Sequence, residues 1–468
     1  MQFDTFEFAV FFALVYLAYR CFPLRGQNVL LLGASYFFYG FWDWRFLSLL
    51  LISTFVDYFA AHAIERAAPG SRLRRVGLGV SVAANLGMLG FFKYFDFFVE
   101  SFHRMLLEFG IEASLPLLQV TLPVGISFYT FQTLSYTIDV YRGNLRATRD
   151  PLAFALFVSF FPQLVAGPIE RAANLLPQIE NPRRITWEGT QQGAWLIFWG
   201  VYKKVFIADN LARFVDAAYN SPSDVSGPQL LLATYAFAFQ IYADFSSYTD
   251  IARGVSRIMG FELMENFRLP YFAASPGEFW QRWHISLSQW LRDYLYIPLG
   301  GSRGSGWFTT RNLMITMLLG GLWHGARWNF VLWGLFHGLL LVAYRYIRIP
   351  ALQALPERWK RPLAILVMFH WTVLGWFLFR VDSASQIVDF FHGFFSGWLN
   401  GASWSAGGSL LAYVVLLLAV QILQWRRNDM LAPLSLPVAV RVALYLILYF
   451  SITFGGAFGD KPFIYFQF

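Results

Sequence analysis

The chain has 468 residues, of which 57% are hydrophobic, 20% aromatic and only 14% charged, against about a quarter charged in an ordinary globular domain. Length alone suggests roughly three domains, but so little charge cannot clothe several soluble ones. A soluble enzyme, a disordered chain and a disulfide scaffold are excluded, and an all-α polytopic membrane protein is left. The formal charge of +8 reads as the Lys and Arg that cytoplasmic loops of membrane proteins collect, so no nucleic-acid partner is expected.

The first apolar run, Phe6 to Tyr19, has Asp4 and Glu7 before it or at its start, and Arg20 and Arg25 after it. A cleavable signal shows the reverse order, so the run predicts a retained span with its N-terminus outside. Further apolar runs follow at 28–42, 46–63, 76–99, 115–141, 193–210, 229–246, 312–323, 327–344, 361–379, 408–424 and 434–457. About 20 helical residues cross a hydrocarbon core of about 30 Å, which predicts 11 to 12 transmembrane helices. Alternating β-barrel strands are excluded because the runs are continuously apolar.

Loop charges order these spans. Arg66, Arg72, Arg74 and Arg75 form one basic loop, Arg142, Arg146 and Arg149 a second, and Arg345, Arg348, Arg358, Lys360 and Arg361 a third. Residues 100–114 between the first two are acidic, with Glu100, Glu108 and Glu112. The positive-inside rule places the basic loops in the cytoplasm. Three stretches interrupt the pattern: 151–178, broken by prolines; 250–275, mixing charges with aromatics; and 278–306, an amphipathic segment with a glycine-rich loop. Irregular backbone at membrane depth survives only inside protein or beside a cavity, so a site is expected there.

Taken as one helix, Phe279 to Leu295 places His284 in an apolar arc with Trp283, Leu287, Leu291 and Leu295, opposite Arg282, Arg292 and Asp293. A structural histidine bonded to a carbonyl explains this as well as a functional one. His324 lies in Gly320-Gly321-Leu322-Trp323-His324-Gly325, where glycines admit a close backbone or a ligand. Helix packing is the alternative. An imidazole with an ordinary pKa of about 6.5 suits removal of a hydroxyl proton at neutral pH. Gly300-Gly301-Ser302-Arg303-Gly304-Ser305-Gly306 offers N–H groups and Arg303 to a donor phosphate, but without phosphate-loop spacing it also reads as a plain turn. Asp57, Lys93, Asp139, Asp244 and Asp250 fall in or near apolar runs, where structural pairing is expected. His337 and His370 read as packing residues. The single Cys21 excludes a disulfide, and His62, His103 and His392 have no metal-ligand spacing, so no metal is expected.

Phe279-Trp280-Gln281-Arg282-Trp283-His284-Ile285-Ser286-Leu287-Ser288, then Trp290-Leu291-Arg292-Asp293-Tyr294-Leu295-Tyr296, Arg311-Asn312-Leu313 and Gly320-Gly321-Leu322-Trp323-His324-Gly325 resemble the signature of the membrane-bound O-acyltransferases. The similarity extends to Leu122-Pro123-Val124-Gly125-Ile126-Ser127-Phe128-Tyr129, Ala166-Gly167-Pro168, Lys203 to Asp209 and Asp244-Phe245-Ser246, and returns at Phe463 to Phe468. It is strongest to the bacterial branch that acetylates exopolysaccharides of the alginate and cellulose kind.

The resemblance implies a single membrane-embedded domain over 1–468, with its core motifs in about 115–345 and C-terminal helices in 346–468. It implies a ring of helices around a catalytic passage, with His324 as the catalytic histidine and His284 as the second active-site histidine. Trp283, Trp323, Arg282, Asp293 and Asn312 become candidates for support or passage lining. No bound cofactor is expected; acetyl-CoA or another acetyl thioester is the donor substrate. The implied partners are an extracytoplasmic polysaccharide acetyltransferase or carrier protein, the exopolysaccharide as final acceptor, and the bilayer of a bacterial inner membrane. D-alanyl, lipid or protein acyl transfer within the family stays open, as does a transporter or export scaffold without acyl chemistry.

Overall fold

A computed structural model of the chain describes residues 1–347, 355–399, 404, 406–459 and 463–464. Arg348 and residues 465–468, named above, lie outside the described residues. Among the described residues all regular structure is helical, because a segment in hydrocarbon must close its own backbone hydrogen bonds. Five stretches are long and apolar enough to cross a bilayer: Leu24–Arg66, Arg72–Glu108, Arg358–Arg380, Gly407–Arg427 and Val438–Gly455. The helices gather into two compact units, residues 1–190 with 255–264 and residues 191–254 with 265–468.

In the first unit α1 (Phe6–Cys21) starts at Thr5, whose hydroxyl accepts the Phe8 N–H at 3.3 Å. α2 (Leu24–Asp43) and α3 (Leu47–Arg66) flank a short turn at Trp44–Phe46. α4 (Arg72–Leu89) continues through a π turn, Gly90–Tyr94, into α5 (Phe95–Glu108). Most of the acidic segment expected as a loop is therefore helix. Phe98, Phe102, Met105 and Phe109 recur every three to four residues and give it an apolar stripe.

α6 (Ile126–Arg142) starts later than the run at 115–141 suggests. Gly125 before it takes φ +77°, and a Cβ there would lie 2.9 Å from the Leu164 carbonyl oxygen. That close approach fixes the start of the helix. α7 (Pro151–Ser159) and α8 (Ala172–Glu180) are short and separated by a non-helical stretch that holds Pro162 and Pro168, whereas Pro177, expected to break a helix, lies inside α8.

α3, α4 and α6 pack around the fully buried Asp57. Its carboxylate accepts from Ser81, from Thr137 Oγ1 at 2.7 Å and from Asn85 Nδ2 at 2.6 Å. Asn85 Oδ1 in turn accepts from Ser53 at 2.9 Å and Thr133 at 3.1 Å. Three helices are thus joined through one acid.

α9 (Trp187–Val201) is followed by a π segment, Tyr202–Ala208, then α10 (Asp209–Asn220) and the 32-residue α11 (Gly227–Ile258). Within the second unit, α9 and α11 approach closely at Gly200, where a Cβ would lie 2.9 Å from the Ser247 carbonyl oxygen. Lys203 binds Ser246 and Asp250, each at 2.7 Å, and Lys204 binds Asp209 and Asp244, each at 2.9 Å. Asp244 also accepts the Ile464 N–H at 2.7 Å. Buried charge is tolerable when paired and hydrogen-bonded, and the structure pairs Asp244 and Asp250 in this way.

Candidate active site

The continuous helix expected over 279–295 is broken. α12 (Pro276–Trp280) begins at Ser275, whose Oγ accepts the Glu278 N–H at 3.2 Å, with Pro276 at the first helical position. α13 (Ile285–Leu291) follows, and a π turn, Arg292–Tyr296, ends the segment. Between the two helices His284 takes φ +42° and ψ +56°, the left-handed region. There the backbone bonds elsewhere: Ile285 N–H donates to the Asn266 carbonyl at 2.9 Å, and Arg268 N–H to the Arg282 carbonyl at 2.9 Å. Positive φ is uncommon off glycine, costs about 1–3 kcal/mol and persists where surroundings enforce it.

Asn266 is that surrounding. Its Oδ1 accepts the Ser286 N–H at 3.2 Å and the Ser286 hydroxyl at 3.0 Å, and lies 3.2 Å from His284 Nδ1. Because the backbone N–H of Ser286 can only donate, the Asn266 atom facing it is the oxygen. Nδ1 of His284 then carries the proton, and Nε2 is the acceptor nitrogen. The ring is fully buried, edge-on to Phe245 at 4.8 Å and Trp323 at 5.7 Å. Burial lowers its pKa and holds it neutral.

His324 is the last residue of α14 (Gly306–His324), which packs on α15 (Trp328–Tyr346). Its imidazole is buried, with ring centroids 5.2 Å from Trp323, 5.0 Å from Trp333 and 5.5 Å from Phe379. The two imidazoles, 40 residues apart in sequence, have centroids 6.4 Å apart. Trp323 touches both.

The glycines around His324 divide their work. A Cβ on Gly321 would lie 2.2 Å from the Phe330 carbonyl oxygen, and one on Gly325 would lie 2.1 Å from the Phe330 ring. These two let α15 close on α14. Gly320 instead borders an apolar cavity of about 150 Å³, whose wall includes Leu287, Leu291, Met317, Trp333 and His324. His284 does not line that cavity.

The other residues singled out in the sequence have definite places. Trp283 is fully buried against Trp376 at 4.6 Å and Phe267 at 4.9 Å. Arg282 binds Glu278 at 2.8 Å and the Arg268 carbonyl at 3.2 Å. Asp293 pairs with Arg292 at 2.7 Å. Asn312 donates to the Gly301 carbonyl at 2.9 Å, pinning the glycine-rich turn to α14; it lies about 18 Å along the helix axis from His324. Arg303 is exposed in that turn, whose Gly300, Gly301 and Gly304 all have positive φ. His337 packs on Trp333 at 4.7 Å and Trp280 at 5.2 Å. Asn266, Trp333 and Phe379 were not singled out. Asn266 stands 18 positions before His284 in a mixed-charge loop, where no periodicity marks it. Among the described residues no His, Cys, Asp and Glu group has the arrangement of a metal site.

The chain is thus an all-helical membrane protein with two buried histidines 6.4 Å apart among aromatic rings, and comparison with known proteins defines its class. Residues 144–379 match the membrane-bound O-acyltransferase family, to which the chain belongs, and it is an O-acyltransferase. It is 42% identical over 416 residues to the probable alginate O-acetylase AlgI of Azotobacter vinelandii, covering 87% of this chain and 81% of that protein. It is 36% identical over 412 residues to the peptidoglycan O-acetyltransferase of Helicobacter pylori, covering 82% and 76%. It is 28% identical over 279 residues to the teichoic acid D-alanyltransferase of Bacillus subtilis, covering 55% and 68%.

Proposed function

We propose that the enzyme takes acetyl groups from a cytoplasmic thioester such as acetyl-CoA and passes them across the membrane to O-acetylate an exported polysaccharide of the alginate or cellulose type. The acceptor hydroxyl belongs either to the polymer or to an extracytoplasmic acetyltransferase or carrier protein. The chain works from a bacterial inner membrane, with its N-terminus outside and its arginine-rich loops in the cytoplasm. The observation that carries the reading is the meeting of His284 and His324 across 6.4 Å, with His324 on the wall of an apolar cavity. The identity of the relatives supports the acetyl group and the polysaccharide.

His324 accepts the hydroxyl proton as the oxygen attacks the thioester carbonyl. The tetrahedral intermediate collapses, the carbon–sulfur bond breaks, and the leaving thiolate takes the proton that His324 accepted, which restores the neutral imidazole. His284, neutral and fixed by Asn266, orients the acyl group or the first imidazole. Trp323 and Trp283 hold the cage in register, while Arg282, Asp293 and Asn312 support the segment around it. A cavity of about 150 Å³ is about the size that admits benzene, which suits a short acyl group. A general base supplies about 10²–10⁴-fold, so fixing thioester and hydroxyl side by side must supply more.

Reconstitution with labelled acetyl-CoA and candidate acceptors tests the reading. Label should reach a hydroxyl of polymer or partner, and His324→Ala and His324→Asn should lower transfer at least about 10²-fold at normal membrane abundance. Transfer that survives either substitution removes the assigned role. Transfer of D-alanine in place of acetate shifts the donor while keeping the site.

A further inference from the structure

The outward face of α3 carries two adjoining hollows of opposite character, both within the first unit. The first, about 600 Å³, is an apolar trench between α3 and α7, walled by Leu51, Ile52, Phe55, Phe59, Phe154 and Ala155. The second, about 550 Å³, is a polar mouth formed by His62, Glu65, Arg66 and Arg149. Tyr58 and Phe59 line both, so trench and mouth are continuous.

The dimensions and charges are those of a lipid seat. Leu51 to Phe59 covers about 12 Å of helix, close to the ~15 Å that one leaflet contributes to a hydrocarbon core of about 30 Å. His62 and Arg66 come one and two turns beyond Phe59, where the headgroups of that leaflet begin. Phe55 is 65% exposed and Phe59 54%, so the trench is open to the bilayer. The mouth is held in shape from within: Tyr58 donates its hydroxyl to the Arg149 carbonyl at 3.0 Å, and His62 Nδ1 lies 2.8 Å from the Tyr58 carbonyl. Glu65, the one acid in the mouth, accepts the Ala147 N–H at 3.3 Å. Among the described residues the Arg66 and Arg149 guanidiniums pair with no carboxylate.

We infer that this groove binds one glycerophospholipid with an anionic headgroup, its chains in the α3–α7 trench and its phosphate between Arg66 and Arg149. A zwitterionic lipid fills the trench equally well and offers the two cations no net charge. Basic pockets between helices at a membrane surface bind anionic headgroups for the same reason.

The experiment uses the full chain, delipidated in detergent and titrated with phosphatidylglycerol or phosphatidylcholine of equal chain length. The thermal midpoint and the lipid retained in native mass spectrometry are both read. Phosphatidylglycerol should be retained and raise the midpoint, with an affinity at least about tenfold above phosphatidylcholine. At about fivefold per cation, R66Q with R149Q should lower the phosphatidylglycerol affinity by roughly 25-fold and leave phosphatidylcholine unchanged. R66Q and R149Q read singly should each give a share of that loss. A155W, which fills the trench, should weaken both lipids. Equal binding of the two lipids, an unchanged preference in the double variant, or a full midpoint rise from inorganic phosphate alone overturns the assignment.

Discussion

The Asp57 cluster and the histidine pair both bury polar groups in an apolar protein, and they do it in opposite ways. Around Asp57 donors from two neighbouring helices converge on the carboxylate, and Asn85 extends the network to Ser53 and Thr133. Around the histidines the neighbours are ring edges, with Asn266 fixing one nitrogen of His284. A closed network joins helices and leaves no room for a reactant. An aromatic cage beside a cavity keeps the site dry and lets an imidazole change partners during a reaction. Burial alone therefore does not mark a candidate site; burial beside empty volume, as at His324, does.

Opposite signatures should separate the two regions. His324→Ala should abolish turnover and spare abundance. Asp57→Leu should do the reverse, because it strands the donors of Ser81, Asn85 and Thr137 at about 1–3 kcal/mol each. Membrane abundance, read by quantitative immunoblot, should fall several-fold while turnover per folded molecule stays within about twofold. An Asp57→Leu variant that is abundant but inactive would collapse the distinction.

Asn266 sharpens the comparison, since its side chain holds both the His284 ring and the Ser286 backbone. Asn266→Ala should lower kcat by up to about 10²-fold through loss of ring position, with little change in the donor KM. Asn266→Asp retains an acceptor for Nδ1 and the Ser286 groups, and should recover most of the rate. Equal loss in both variants would make Asn266 a folding residue only.

Smaller effects are expected from the glycines. Gly320→Ala places a Cβ 3.1 Å from the flexible end of Leu291, so the fold should tolerate it while the narrowed cavity raises the donor KM a few-fold. Gly321→Ala, which meets a backbone carbonyl, should be hard to express. The smallest effect belongs to Arg303→Ala: exposed on a turn, it should leave the donor KM unchanged, and a clear rise with kcat preserved would assign it to the donor phosphates.

Much of this was legible in the sequence, for identifiable reasons. Membrane residence followed from continuous apolar runs, and the breaks at 151–178 from proline. The pairing of Asp244 and Asp250 followed from the cost of burying charge alone. The helical wheel put His284 among apolar residues, and it is buried, although the helix assumed for the wheel does not exist there. A wheel records composition along a segment and is blind to the Asn266 clamp, which acts on the backbone from a distant loop. The start of α6 was misjudged for a related reason: Leu122 to Ile126 is apolar, but the approach of the Leu164 carbonyl at Gly125 is a tertiary event. The meeting of the two histidines was supplied by resemblance, since nothing in a 40-residue separation encodes a distance.

The left-handed backbone at position 284 has a further consequence. Glycine is at ease there, whereas histidine is held at a cost. His284→Gly should therefore relax the turn while deleting the ring, so that resistance to unfolding and rate of acyl transfer move in opposite directions at one position. The fold on its own favours a different residue at 284 from the one the proposed chemistry uses.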